Sequence, residues 1–596
     1  MNHCPIRTPA RMPLRNPARA LTLASLLLGV SSLLTAQDLV PPPPPPPPAE
    51  AATPPSDNQP EQSSTLSGPG SWSITGTVVS ATAGTPLDRA DVTLSTPGPR
   101  GSQIAESLTS ENGNFRFDHL QAGKYRLQAS RRGYIAAGYQ EHDGFFTGVV
   151  VGRNLDSQNL RLQLFPTAII AGVVTDESGE PIGGAQVHLY RLDQNTGEGK
   201  IVGAGSDNTD DTGTYEFARL KAGTYYIGVA ASPWYAFHPQ RKTDASGAPL
   251  PDDQQPHSPL DVAYPMTFYA NATESASATP IQLNPGDRTE INVSLHAVAA
   301  IHILVQARPP DMPGHGMAMP MLSQEVFGSD LIQQGSVTWM SGPNHGQPVG
   351  DFSGIAPGQY VLRQYAQQGE SARSVSIDLT TDQVVDFSST SSVTGVDVSG
   401  KLVMASSEAL PARTSVMLVP ANGGPSLAAA RIDNAGAFTL HGVSPGNYEV
   451  QVHAPGSSLA VTQMAATGAE AAGGHITVAS DPVLLAATLA SGSTTLNGYA
   501  KRDDRGFGGA MIVLVPQNAG AGHELFRRDQ SNSDGSFTLS RVIPGNYTLV
   551  AIEDGWTLDW ARPEVIAPYL ARGLKIQVTG KQKDQTLSSA VEVQPR

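Results

Sequence analysis

Five times the chain repeats a short phrase made of a turn glycine, an aromatic residue two positions later, and a Gly-x-Tyr triplet. The first copy reads Gly113-Asn114-Phe115 and then Gly123-Lys124-Tyr125. The aromatic residue and tyrosine of the five copies are Phe115 and Tyr125, Tyr215 and Tyr225, Phe352 and Tyr360, Phe438 and Tyr448, and Phe537 and Tyr547. Because the copies recur at roughly 100 residues, each can belong to one small domain. The repeat therefore predicts a tandem array.

Each copy has the pattern of a β-hairpin preceded by a further pair of strands. Residues 114–118 and 125–129 alternate polar and apolar side chains, which is the period of a strand with one buried face. The strand pairs upstream of four hairpins are 74–78 with 90–94, 170–174 with 185–189, 398–402 with 415–418, and 496–500 with 510–514. Short strands at this spacing, with no helical period between them, predict an all-β array of about five Greek-key sandwiches.

One stretch of the second copy resembles a known family. It runs from Gly172-Val173-Val174-Thr175-Asp176 through Pro181-Ile182 to Ala185-Gln186-Val187, and it is similar to the carboxypeptidase regulatory-like domain. The resemblance covers nearly all of 71–596, most strongly 165–296 and most weakly 297–389. It implies seven-stranded, prealbumin-like sandwiches, often grouped with carbohydrate-binding-like folds. Because these motifs fix a core and its turns, they bear on function only by analogy.

The repeats and composition together predict seven segments. They are a signal peptide at 1–36, a disordered Pro-rich linker at 37–70, and sandwiches at 71–164, 165–296 (with a long insertion), 297–389 (divergent), 390–490 and 491–596.

The first 36 residues have the order of a secretory signal. Four arginines between positions 7 and 19 precede the apolar run 20–30, and Ala36 offers a small residue before a cut at Gln37. The run is shorter than the roughly 20 apolar residues of a spanning helix, so an uncleaved anchor is the weaker alternative. Cys4 is the chain's only cysteine. We therefore expect an exported, disulfide-free protein without an integral membrane span, in the periplasm, on the cell surface or secreted.

The linker and the charge narrow the range of partners. Residues 41–48 are an unbroken proline tract, which favours a stiff polyproline II rod. The formal charge is −15, and removal of the four signal arginines leaves −19. Since the basic residues are scattered rather than clustered, no nucleic-acid partner is expected.

A search for catalytic and metal-binding constellations gives none, so we predict a chain that is not an enzyme, without catalytic residues, metal or cofactor. None of the 14 histidines has a Glu three residues later, as a zinc carboxypeptidase would require. Ser444 satisfies Gly-x-Ser-x-Gly, but it falls in the reversal of a hairpin rather than in a strand-to-helix elbow. Calcium at the turns stays open, because oxygen-bearing residues gather before Gly213 and Gly535, although Asx turns explain them without a metal. These residues are Asp207, Asp210 and Asp211, and Asp529, Asn532 and Asp534.

The long insertion in the second copy supplies the candidate binding residues. Trp234, Tyr235, Phe268 and Tyr269 lie in it, and aromatic faces on a loop can stack on sugars or anchor a protein partner. The alternative is that these rings plug the open end of their own sandwich. We therefore expect a non-catalytic exported protein that binds carbohydrate, such as a polysaccharide. The other function carried forward is a structural or adhesive cell-surface spacer acting through contacts with a cell-surface protein.

Overall fold

In all five copies of the computed structural model the repeated phrase forms two consecutive strands joined by a tight turn. The two strands pair with different partner strands and not with each other, so the predicted β-hairpins are wrong, and the strand pairs predicted upstream, such as 74–78 with 90–94, do not form either. The turn instead carries the chain across the core, from one layer of the sandwich to the other. The structure describes residues 70–98, 101–155, 157–244, 250–306, 320–328, 330–333, 335–342, 346–364, 373–386, 396–421, 428–518 and 520–596. The predicted signal peptide and nearly all of the Pro-rich linker lie outside these residues. Each of the five sandwiches has a hydrophobic core of its own in the described part of the chain, which confirms the prediction of an all-β tandem array of sandwiches.

Sandwich 1 is built from eight strands in two sheets. The strands are β1 (Trp72–Ser80), β2 (Asp91–Ser95), β3 (Gln103–Leu108), β4 (Asn114–Leu120), β5 (Gly123–Ser130), β6 (Ala137–Gly138), β7 (Val149–Val151) and β8 (Leu160–Leu164). One sheet has the order β4-β1-β8 and the other β3-β2-β5-β6, with β7 also paired to β5. The first strand runs parallel to the last, β8, so the chain returns beside its starting point.

Sandwich 2 repeats this plan and adds the long insertion after its copy of the repeated phrase. Its strands are β9 (Ala168–Thr175), β10 (Gln186–Asp193), β11 (Lys200–Asn208), β12 (Thr214–Leu220), β13 (Gly223–Ala230), β14 (Val262–Ala263), β15 (Thr267–Phe268), β16 (Ile281–Leu283), β17 (Arg288–Glu290) and β18 (Val293–Ser294), and β19 (Val298–Ala299) pairs with β14. The sheets are β12-β9-β17 and β11-β10-β13-β15, with β18 on β9 and β16 on β13. The insertion therefore leaves the sheet at β13 and rejoins it at β15.

Sandwiches 3 and 4 follow the same order. Sandwich 3 comprises β20 (Ile301–Gln306), β21 (Met321–Val326), β22 (Asp330–Gln333), β23 (Ser336–Gly342), β24 (Gly346–Ile355), β25 (Gly358–Gln364), β26 (Arg373–Leu379) and β27 (Gln383–Asp386). Sandwich 4 comprises β28 (Val396–Met404), β29 (Ser415–Pro420), β30 (Ala428–Arg431), β31 (Ala437–Val443), β32 (Gly446–His453), β33 (Leu459–Thr467), β34 (Ala469–Ala472), β35 (His475–Val478) and β36 (Val483–Ser491). The sheets of sandwich 3 are β23-β24-β20-β27 and β22-β21-β25-β26, and those of sandwich 4 are β31-β28-β36-β33 and β30-β29-β32-β35-β34.

Sandwich 5 differs because its two sheets are joined. Its elements are β37 (Thr494–Arg502), β38 (Arg505–Gly506), β39 (Met511–Pro516), β40 (Arg527–Gln530), β41 (Ser536–Val542), β42 (Gly545–Ile552), α1 (Pro563–Leu570), β43 (Leu574–Val578), β44 (Asp584–Thr586) and β45 (Val591–Gln594). The last strand, β45, pairs in parallel with β37 and then with β42. This strand closes one edge of the sandwich and leaves fewer unpaired backbone groups there.

A glycine beneath an aromatic ring sets the register of four sandwiches. The third residue of the first strand motif lies directly opposite the first aromatic residue of the repeated phrase, and the pairs are Gly76 and Phe115, Gly172 and Tyr215, Gly400 and Phe438, and Gly498 and Phe537. A Cβ atom at Gly76 would lie 2.6 Å from Cζ of Phe115, and one at Gly400 would lie 2.7 Å from Cζ of Phe438. In sandwich 3, Ile303 takes the glycine's place opposite Phe352. At Gly76, Gly172 and Gly400 a backbone carbonyl of the neighbouring parallel segment lies closer still, so glycine is needed because both this carbonyl and the buried ring occupy the space of a side chain.

The tyrosine of each copy closes the turn before it. In all five copies the phenol oxygen donates a hydrogen bond to the carbonyl four residues earlier, at 2.9 Å for Tyr125 to Gln121 and at 2.8 Å in the other four. The bond satisfies a carbonyl at the reversal, where strand pairing cannot. This bond explains why a tyrosine, rather than a phenylalanine, recurs at this position.

Sandwich 5 contacts sandwiches 1, 2 and 4 within one compact unit, residues 66–596. Gln530 is buried and donates from Nε2 to the Gln140 carbonyl at 2.6 Å and to Oγ1 of Thr147 at 2.7 Å in sandwich 1. Toward sandwich 2, Ala561 donates its backbone N–H to Gly197 at 3.0 Å. Toward sandwich 4, Gly520 accepts a backbone hydrogen bond from Gly474 at 3.0 Å. The sandwiches thus do not form a simple linear string.

Candidate interaction site

The insertion of sandwich 2 exposes a group of apolar side chains. Trp234 is 87% exposed, and Phe237 and Leu260 are also largely exposed. Phe237 donates its backbone N–H to the Leu260 carbonyl at 2.8 Å, so the two arms of the insertion meet here. We call Trp234, Tyr235, Phe237 and Leu260 the aromatic patch. Single exposed apolar residues are common on proteins, but several in one loop are characteristic of binding surfaces.

The four site residues predicted from the sequence differ in how far the structure exposes them to solvent. Trp234 is exposed and Tyr235 is half-buried, and their rings meet edge-on at 5.8 Å and 89°. Phe268 is only 1% exposed and packs edge-on against Phe327 of sandwich 3 at 5.5 Å. Tyr269 is half-buried against the core of sandwich 2. The ring of Phe268 therefore cannot stack on a ligand, and it has the core role that the alternative interpretation gave to all four rings.

The sequence interpretation did not include Phe237 and Leu260 in the site. Phe237 follows Trp234 by three residues in the same aromatic segment, so it could have been found by extending that segment. Leu260 is 23 positions farther along the chain than Phe237, and only the folded loop brings the two together. Phe268 was misleading for the opposite reason, because its partner Phe327 belongs to the next sandwich.

An acidic residue lies beside the aromatic patch. The Tyr235 hydroxyl donates a hydrogen bond to Oε1 of Glu177 at 3.4 Å, and Glu177 lies in the turn after β9. Tyr264 lies underneath, where burial, followed by the negative charge of Glu177, raises the pKa of its phenol. The patch thus presents an apolar ring face next to hydrogen-bonding oxygens.

Buried ion pairs hold the insertion against sandwich 3. His302 is 1% exposed, and its Nδ1 and Nε2 atoms lie 3.0 Å from Asp351 and 3.0 Å from Asp261. His238, one residue after Phe237, contacts the other oxygen of Asp261 at 2.8 Å. Burial opposes a charge on His302, but its hydrogen bonds with Asp351 and Asp261 raise its pKa overall. Because Asp261 follows Leu260, these contacts fix both arms of the patch.

A comparison with protein families adds to this geometry. Residues 73–153 and 169–248 each match the family described as the carboxypeptidase regulatory-like domain. Sandwiches 1 and 2 thus each include a segment that is similar to this family. The resemblance read from the residues around Gly172 is therefore confirmed, and the second matched segment includes Trp234, Tyr235 and Phe237.

Solved structures with some likeness to the chain include Gram-positive pilins. GBS52, the minor pilin of Streptococcus agalactiae, is 14% identical, with 41% of this chain and 100% of that chain covered and a TM-score of 0.20. A streptococcal ancillary pilin is 11% identical, with coverage of 50% and 100% and a TM-score of 0.19. The shaft pilin SpaA of Lactobacillus rhamnosus GG is 12% identical, with coverage of 38% and 98% and a TM-score of 0.16. No curated protein matches the chain.

Near the turn glycines of sandwiches 2 and 5, side-chain oxygens of Asp and Asn residues accept hydrogen bonds from backbone N–H groups. In sandwich 2, Oδ1 of Asp210 accepts hydrogen bonds from the backbone N–H groups of Thr212 and Thr214 at 2.9 Å each. Its pKa is lowered, first by the Thr212 hydroxyl and then by the Thr214 N–H. Asp529 accepts the N–H of Thr538, and Asn532 accepts that of Gly148. Among the described residues, no group of three His, Cys, Asp or Glu side chains is placed to hold a metal ion.

Ser444 lies in a turn between two strands. It follows β31 and precedes β32, and its carbonyl accepts the hydrogen bond of Tyr448. A nucleophile elbow needs a strand followed by a helix, so Ser444 is placed as a turn residue. Within the described ranges, no helix is both long and apolar enough to cross a membrane.

Proposed function

We propose that this chain is an exported, non-catalytic cell-surface protein that acts through protein contacts, with the sandwiches as a scaffold and the aromatic patch as a contact surface. The observation that carries the proposal is the 87% exposure of Trp234 on an insertion that is anchored at both ends. A tryptophan left in water on a fixed loop contributes nothing to its own core. It can contribute a large buried area to an interface at little cost in entropy.

The scaffold supports this proposal because it limits the motion of the patch. Binding residues are most effective on loops held by a rigid framework. His302 ties the insertion to sandwich 3, and Phe268 places the adjoining strand in the core shared by sandwiches 2 and 3. The signal-like first 36 residues support export. The domain boundaries predicted from the repeats remain a prediction.

Carbohydrate binding is the second candidate function. It is favoured by the exposed ring face of Trp234 beside the Tyr235 hydroxyl and the Glu177 carboxylate, which are 3.4 Å apart. A ring face can stack on the apolar face of a sugar, while carboxylate and hydroxyl groups bond its hydroxyls. The similarity of sandwiches 1 and 2 to the carboxypeptidase regulatory-like family does not distinguish this function from protein binding.

The two candidates can be separated with the double variant Trp234→Ala/Phe237→Ala. We expect the variant to lose most retention on the cognate surface, since hot-spot aromatic residues typically contribute 2 kcal/mol or more, which is about thirtyfold in affinity. The full chain would be tested on immobilised cellulose, chitin, starch and xylan, and in parallel against biotinylated surface proteins of the producing cells. Selective capture of surface proteins supports the main proposal, whereas retention on a polysaccharide supports the second candidate.

Tyr499→Ala is the matched control, because this tyrosine is also exposed but lies on β37 of sandwich 5. It should leave retention unchanged. The double variant should keep the thermal midpoint of the parent, since neither ring is buried. If binding is unaffected by the double variant, or is lost only together with the thermal midpoint, the patch is not the contact surface.

A further inference from the structure

One histidine joins three sandwiches. His523 lies in a short 3-10 turn, His523–Leu525, between β39 and β40 of sandwich 5. Its Nε2 atom lies 3.2 Å from Oε1 of Glu198 in sandwich 2, and its Nδ1 atom lies 3.4 Å from Oε2 of Glu449 in sandwich 4. The backbone N–H of His523 also donates to Oε1 of Glu449 at 2.7 Å. A neutral imidazole carries one N–H, so a carboxylate at each ring nitrogen favours the imidazolium form.

The pKa values of His523, Glu198 and Glu449 all depend on the contact between their sandwiches. The contact with the Glu198 carboxylate, followed by the hydrogen bond with Glu449, outweighs burial and raises the pKa of His523 to about 10. The close contact with His523 is also the main cause that lowers the pKa of Glu198 to about 2. Burial opposes the charge of Glu449, but its bonds with His523 lower its pKa to about 2. The ion pairs therefore need sandwiches 2, 4 and 5 to be in contact.

A fourth group in this cluster, the carboxyl of Glu524, is stabilised in its protonated, neutral form. Burial, followed by the charge of Glu449, raises the pKa of Glu524 to about 7. Both carboxyl groups flank Gly522, where a Cβ atom would lie 2.8 Å from Oε2 of Glu524 and 2.9 Å from Oε1 of Glu449. A proton on Glu524 removes the repulsion between two acids in a partly desolvated space.

Other charged and titratable groups around this cluster have partners of their own. Lys200 pairs with Glu198, Arg527 donates to backbone carbonyls of sandwich 5, Arg562 lies against Asp559 and the Glu198 carbonyl, and His475 contacts the Gly520 carbonyl. The cluster thus has one histidine between two acids from other sandwiches and one further acid that favours protonation.

We propose that the contact of sandwich 5 with sandwiches 2 and 4 is a pH-sensitive joint, closed in mildly acidic medium and loosened as the pH rises above neutrality. His523 stabilises the closed joint fully below its free pKa of about 6.5, and this contribution is lost as the pH rises toward 10. Glu524 acts in the same direction, because its ionisation between about 4.5 and 7 is easier once the joint is open. Glu198 and Glu449 set the acid limit, since their contribution is lost as the pH falls from 4.5 toward 2.

Hydrogen exchange on the full chain tests the joint directly. The Gly474 N–H donates to Gly520 across the contact, so its exchange, corrected for intrinsic rates, reports opening. Release of one proton on opening predicts an opening constant that rises by up to about tenfold per pH unit between pH 7 and 9. His523→Gln should open the joint more at pH 6 and flatten this slope. Glu524→Gln should close it, lowering the opening constant at pH 7.5 by about a hundredfold.

His441→Gln is the control, because His441 pairs at 3.1 Å with Asp397 at an exposed site within sandwich 4. It should leave the exchange of Gly474 unchanged at every pH. The increased protection expected of Glu524→Gln cannot result from misfolding. Protection of Gly474 that is constant from pH 6 to 9 in the parent, or that is insensitive to Glu524→Gln, would overturn the proposal.

Discussion

Phe537→Ala is expected to destabilise sandwich 5 by about 3–5 kcal/mol. Phe537 is 1% exposed and lies in the core opposite Gly498, with Leu539 and Tyr547 in the same cluster. Removing the ring leaves a cavity above Gly498, which has no side chain. Few neighbouring atoms can therefore move in to fill it. A loss of this size is a large part of the stability of one small domain.

The change can be measured in the full chain by native-state hydrogen exchange of amides in β42, which report unfolding of sandwich 5. Tyr499→Ala removes an aromatic side chain from the adjoining strand β37, but that side chain is 53% exposed. It should therefore change the free energy of unfolding by less than about 1 kcal/mol. Equal effects of the two substitutions would contradict the core assignment of Phe537.

The repeated phrase was sufficient to predict the two strands and their reversals, but not which strands pair. A strand with one buried face alternates in the same way whether its neighbour in sequence lies beside it in one sheet or across the core in the other. The turn glycines Gly113, Gly213, Gly436 and Gly535 all have positive φ, between 71° and 86°, as the Asp and Asn residues before them suggested. The role of the tyrosine was harder to predict from the sequence. Its hydrogen bond reaches back only four residues, yet nothing in a strand period distinguishes a tyrosine that closes a turn from one that only fills the core.

The contacts between sandwiches could not be predicted from the sequence. Gln530 bonds to Thr147 and Gln140, which precede it by more than 380 positions, and a lone glutamine in a strand reads as a solvent-facing residue. The same is true of His523, whose partners Glu198 and Glu449 come from two different copies. Periodicity describes one element at a time, so it carries no information on which domains meet.

The candidate site was predicted in part for a related reason. Aromatic residues in an insertion can be exposed to solvent or buried in a core, and both occur here. Trp234 points into solvent, while Phe268 fills a core to which sandwich 3 contributes Val326 and Phe327. The choice between them depended on a neighbouring domain whose own copy of the repeat is the most divergent.

Gly172→Ala is expected to destabilise sandwich 2 by about 3 kcal/mol or more, as large as the loss of a core ring. A Cβ atom at this position would collide with the backbone carbonyl of Ile291, which lies between β17 and β18, and would lie 3.0 Å from the Tyr215 hydroxyl. That hydroxyl donates to the same carbonyl at 2.7 Å, so the strand can move only by breaking this bond. Exchange of the β9 and β13 amides in the full chain measures the effect.

Gly498→Ala provides the comparison, because the nearest atoms there belong to side chains, those of Phe537 and Leu587. Replacing the ring in Gly498→Ala/Phe537→Leu should therefore recover part of the loss, with a coupling free energy of about 1–3 kcal/mol. Gly172→Ala/Tyr215→Leu should recover little, since the carbonyl of Ile291 remains in place. If both pairs are rescued equally, the limit at Gly172 is the aromatic ring rather than the backbone of the neighbouring strand, and the close approach of that strand does not require glycine.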